Sequence, residues 1–152
     1  MKGNNPRIDV ALLILRVGLG LIAMYYGSQK MLGAFGGPGP KQTIDFMRST
    51  FGIPAPFAIL AMCAEFLGGL GLVVGLLTPV AAFGICCTMA VATYENCKDP
   101  SVLEGVLHGN NADASKAFYS LVILLGALTL MLIGAGRYSL DGKFFVTGKG
   151  RR

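Results

Sequence analysis

Few residues in this chain have side chains able to do chemistry, and several of those stand inside apolar runs. Arg16 interrupts VALLILRVGLGLIAMYYGSQK, residues 10–30, and Glu65 interrupts FAILAMCAEFLGGLGLVVG, residues 57–75. An arginine or an ionised carboxylate near the centre of a membrane span costs about 2.5–3.5 kcal/mol on insertion scales, so such groups are paired or in use. Projected at about 100° per residue, Arg16, Gly20, Ala23, Gly27 and Lys30 fall on one narrow stripe. Glu65 shares its face with Ala58, Ala61, Leu72 and either Gly68 or Gly69. A buried arginine–carboxylate pair can hold a proton poised for transfer, or it can simply fix how helices pack. Tyr26, Gln29 and Lys30 lie together at the far end of the first run, where they could hydrogen-bond a polar headgroup such as that of a quinone. The other reading of these residues is an interfacial aromatic belt.

Other reactive side chains are sparse. His108 is the single histidine, so the chain cannot by itself ligate haem through two histidines or build a histidine metal cluster. Cys63, Cys86, Cys87 and Cys97 form no C-x-x-C, and three of them sit within apolar runs, where cysteine behaves as a small apolar residue. There is no phosphate loop, nucleophile elbow or metal motif, and no metal or covalently bound cofactor is expected.

The elements that must position these residues follow from composition. Of 152 residues 53% are hydrophobic and only 14% are charged, with a mean hydropathy of +0.61. A soluble domain carries about a quarter charged residues, so this chain lacks the material for a solvated surface. A helix crossing roughly 30 Å of hydrocarbon needs about 20 apolar residues. Apolar windows at 8–27, 56–77, 80–94 and 117–136 meet or approach that length. The spacing therefore predicts an all-α, membrane-embedded four-helix bundle in one domain, 1–152, with helices over about 8–30, 56–77, 79–96 and 117–136. Thr78-Pro79 divides a run too long for one span, since proline suits the first turn of a new helix. A cleaved signal peptide is the alternative for the first helix; Arg16 inside its apolar core and the lack of a small-x-small site argue against it.

With an even number of spans both termini share one side, which carries Lys2, Arg7, Arg137, Lys143, Lys149, Arg151 and Arg152. The other side has Lys30, Lys41, Arg48, Lys98 and Lys116, offset by Asp45, Glu95, Asp99, Glu104 and Asp113. The positive-inside rule then places both termini in the cytoplasm, and the expected location is the cell (inner) membrane. The tail GKFFVTGKGRR would lie on the anionic inner leaflet, so the net charge of +5 requires no nucleic acid.

In the first loop, GAFGGPGP is turn chemistry and KQTIDFMRSTF places Ile44, Met47 and Phe51 on one helical face. That predicts a short interfacial helix anchored by Phe46 and Phe51. Depth decides which charges can meet. Arg16 lies about 12 Å in from one side and Glu65 about 14 Å in from the other, so both fall near the midplane and are expected to pair. Lys30 and Glu95 are a weaker second pair at the outer end. Gly20, Gly27, Gly68 and Gly69 suit close helix contacts, and Gly71-x-x-x-Gly75, on a different face, suits a further helix or another chain.

LRVGLGLIAMYYGSQKMLG, FGIPAP, AEFLGGLGLVVGLLTPVAA and GAGRYSLD, taken in this order, resemble the DoxX family of small four-helix membrane proteins. The resemblance spans nearly the whole chain and takes in both buried charges. Two departures stand out: the family often has a basic residue where this chain has Pro79, and a Glu near the start of the last helix where this chain reads AFYS. The resemblance implies association with quinone-linked sulfur oxidation through the related DoxD group, and with membrane complexes that handle oxidative or thiol stress. It supplies no catalytic residues. The resulting expectation is a membrane subunit of a quinone-linked oxidoreductase complex. Arg16 and Glu65 would line a pocket, with Tyr26, Gln29, Lys30 and Glu95 near a headgroup, and the partners would be the lipid bilayer and other membrane subunits. A non-catalytic structural subunit stands beside it, and a small transporter is a third reading.

Overall fold

The computed structural model describes residues 6–142. Four helices are long and apolar enough to cross a membrane: α1 (Pro6–Leu32), α3 (Ala55–Val74), α4 (Thr78–Lys98) and the Ala114–Ile133 part of α6 (Asn111–Ile133). Two shorter helices, α2 (Gly39–Phe51) and α5 (Pro100–Leu107), lie in the loops at the opposite end from Pro6 and Gly142. The chain is a multi-pass membrane protein built as an all-α four-helix bundle, with no strand among the described residues. Lys2 and the basic residues of the tail lie outside that range.

Helix ends follow from local chemistry. Pro56 and Pro79 stand in the first turns of α3 and α4, where no intrahelical N–H bond is lost. α3 stops at Val74, three residues before the expected end, because Gly75 takes a left-handed φ of +75° and caps it. The polar loop after α4 contains a helix that periodicity did not show. Asp99 caps α5 by accepting from the Ser101 N–H at 2.9 Å and hydroxyl at 2.7 Å, with Pro100 pre-set in the first turn. Asn110 caps α6 in the same way through the Ala112 N–H, so this helix starts six residues ahead of the expected 117.

α1 packs on α3, α3 on α4 and α4 on α6, around a core that includes Leu19, Ala23, Leu72, Ile85, Met89 and Leu130. The α1–α3 contact is close because it is built on glycine. A methyl added at Gly27 would stand 2.5 Å from the Phe66 nitrogen, and one at Gly20 would stand 2.7 Å from the Gly69 carbonyl oxygen. Gly68 faces Ala81 and Ile85 of α4, and Gly71 faces Leu76 and Ala81. The Gly71-x-x-x-Gly75 pair expected to meet another helix or chain is therefore spent within this one, with Gly75 in the α3–α4 turn.

The segment after α6 folds back under the bundle. Asp141 accepts from the N–H groups of Leu77 and Thr78, both at 2.7 Å, and so caps α4 from 63 residues away. Its own N–H donates to the Gly75 carbonyl at 2.9 Å. The Arg137 N–H donates to Asp9 of α1 at 3.1 Å. This clasp joins the start of α1 and the α3–α4 turn through residues 137–141.

Candidate functional site

The structure separates the two charges expected to pair. Arg16 is 2% exposed and donates from Nη2 to the Tyr138 carbonyl at 2.8 Å, with Asp141 in Coulombic reach. Its side chain runs over Gly75, where any Cβ would collide with Nη1. Nε and Nη1 of Arg16 and Oγ1 of Thr78 meet no partner among the described residues. Glu65 bonds instead to Lys30, whose Nζ donates to both carboxylate oxygens at 2.7 and 2.6 Å. The Glu65 side chain is 4% exposed and that of Lys30 29%.

The physical reason is stagger. The depth argument sets the first two spans flush with one another. In the structure Gly27 lies on Glu65 and Phe66, and Gly20 on Gly69 and Val73. That register brings Lys30, two residues from the end of α1, level with Glu65, ten residues into α3. Arg16 is about 21 Å away along α1, at the end that carries the clasp. Arg16 and Lys30 do share the predicted face; the choice between them as partner rested on an offset that composition does not encode.

Lys30 and Glu65 line a cavity of about 1150 Å³ bounded by α2, α3 and α4. α2 supplies Gln42, Thr43, Phe46, Met47 and Phe51, while α4 supplies Cys87, Thr88 and Val91 among others. Phe57 and Leu60 of α3 and Val80 and Phe83 of α4 are each 58–65% exposed along the open side, which in a bilayer faces lipid. The cavity is thus an apolar recess with a neutralised ion pair set into its wall. The pair remains chemically competent: Lys30 keeps a third N–H, and each Glu65 oxygen keeps a lone pair.

Other residues expected near a headgroup divide. Glu95 lines the cavity at its loop end but does not bond Lys30, which is committed to Glu65. Tyr26 turns away, its ring 4.9 Å from that of Tyr119, and the backbone of Gly37 covers Gln29. Neither lines the cavity. Three contributions were missed from sequence. α2 is the short first-loop helix that the sequence predicts, but its second role was not legible: Phe46 and Phe51, 5.4 Å apart edge to face, also help wall the recess. Tyr119, in the AFYS segment where the resemblance suggested a missing carboxylate, stands in Coulombic reach of Glu65. Asp141 was visible as part of GRYSLD, but its partners are backbone amides, which leave no sequence signal.

No curated relative and no solved structure matches this chain. A family model described as DoxX matches residues 11–95, more than half of the chain and the part that carries Arg16, Lys30, Glu65 and most of the cavity wall, and the protein accordingly belongs to the DoxX family.

Proposed function

We propose that this protein is the quinone-binding membrane subunit of a redox complex that serves oxidative or thiol stress, with both termini in the cytoplasm. One observation carries the reading: the Lys30–Glu65 ion pair is set into the wall of an apolar recess that opens to lipid. Small-molecule sites are mostly apolar recesses of about 300–1,000 Å³ with a few placed polar groups. An intramembrane ion pair is a site by default, because its desolvation must be offset by pairing or use. A quinone bound there would supply two-electron, two-proton chemistry. Lys30 would donate its free N–H to a ring oxygen, Glu65 would hold and pass a proton, and the aromatic walls would keep out water. Electrons would come from another subunit. The glycine face that could have served a purely structural subunit is occupied within the chain, which favours the redox reading over the scaffold.

The test is purification from native membrane in mild detergent, with every copurifying protein and extracted quinone quantified. We expect quinone in fixed ratio in the wild type, and its loss in Glu65→Gln and in the charge-free double variant Lys30→Met/Glu65→Leu while both stay folded. A fixed protein partner with no quinone would make this a scaffold subunit instead.

A further inference from the structure

The cavity is asymmetric about its ion pair, and that asymmetry bears on how a ligand lies in it. This step rests on the quinone-class reading above. Gly84 marks the level of the pair on α4, since a methyl there would stand 3.2 Å from Cβ of Ala64, the neighbour of Glu65. Towards the clasp the lining ends at Val80, about 6 Å below. Towards the loops it continues to Asn96, about 18 Å above, walled by Met47 and Phe51 of α2 and by Phe57 of α3.

The long arm is therefore apolar and runs from the middle of the bundle to the loop end. The charged pair that can bind a polar head is at its bottom. Of the other polar groups in the lining, Thr43 and Thr88 bond the Gly39 and Ile85 carbonyls of their own helices, and Gln42 of α2 adds one exposed amide. At its rim the Asn96 amide is already committed to the Lys116 carbonyl and the Ser120 hydroxyl, and Glu95 presents a carboxylate. We infer that the ligand lies head-down, its ring at Lys30–Glu65 and its tail in the long arm beside α2, pointing to the loop end. This is the reverse of a phospholipid, whose head stays at the interface. A head that enters so deep must shed its water cheaply, which selects an uncharged ring with carbonyl or hydroxyl oxygens. A phosphate or carboxylate head would meet Glu95 at the rim and a neutralised pair at the floor.

The test uses the full chain in lipid nanodiscs and two photoreactive quinones that share one ring. One carries its diazirine beside the ring and the other at the end of a ten-carbon tail. We expect the ring probe to label around Glu65 and Gly84, and the tail probe to label residues 46–51 and Phe57, with both displaced by unlabelled decylubiquinone. Met47→Trp, which narrows the long arm, should cut displaceable labelling by about tenfold, and Val80→Trp, at the short arm, by less than about twofold. Tail labelling at Val80 and Phe83 with ring labelling near Glu95, or the two tryptophan effects reversed, would overturn the head-down placement while leaving a quinone site. Labelling that decylubiquinone displaces from neither probe would instead remove the quinone reading on which it rests.

Discussion

Lys30 and Arg16 are both cations on one face of α1, and their surroundings predict opposite sensitivities. Lys30→Met leaves Glu65 buried and unpaired. Because Lys30 keeps some exposure, we expect a loss of about 2–3 kcal/mol, read as a fall in Tm in nanodiscs. Lys30→Met/Glu65→Leu should recover most of that, since no charge is left stranded. Arg16→Met removes a guanidinium two of whose nitrogens meet no partner among the described residues, and Asp141 keeps both of its amide partners. Its cost should stay within about 1 kcal/mol; a loss larger than that of Lys30→Met would mean that Arg16 holds the clasp together. The sequence disclosed that both cations face inward, because small residues surround them on the stripe. It could not disclose the partner, because pairing depends on a slide between α1 and α3 that glycine contacts set.

Helices were the most legible level, since twenty apolar residues in a row have few other fates. Their ends were less so. Gly75, Asp99 and Asn110 set three of them through a left-handed φ or a side-chain cap, and hydropathy is blind to both. Gly27→Ala should force α1 and α3 apart at about 1–3 kcal/mol, measured by the same unfolding transition, while Gly18→Ala, with open space around it, should cost nothing measurable. α5 gives a pH-dependent element. Hydrogen bonds from the Ser101 hydroxyl, and then from its N–H, hold the Asp99 carboxyl below its ordinary range. A folded-state value below the unfolded one means that the cap is fully present above the ordinary carboxylate value of about 3.9 and is lost as pH falls through the lowered one. Amide exchange at Ser101 should accelerate in that acid window, and Asp99→Ala should show the fast rate at neutral pH.

At the scale of the molecule the two ends of the bundle are built differently. The loop end is open, with α2 over an apolar recess, and the other end is knotted by backbone bonds to Asp141. If the termini are cytoplasmic, Cys97, exposed in the last turn of α4, faces outward, and a membrane-impermeant maleimide added to intact cells should label it. Labelling only after lysis would invert the topology and put the recess on the cytoplasmic face. The clasp also has a consequence for biogenesis. During synthesis the α3–α4 turn enters the membrane 63 residues before the carboxylate that caps it exists. Until then the Leu77 and Thr78 amides lack that acceptor, and Arg16 lacks the Tyr138 carbonyl. The segment behind α6 thereby carries the latch for the α3–α4 hairpin, so assembly closes only once the ribosome has passed residue 141. Asp141→Ala should accordingly lengthen the protease-sensitive lifetime of newly made chains by more than its equilibrium cost of about 1–2 kcal/mol would suggest, as pulse–chase proteolysis would reveal.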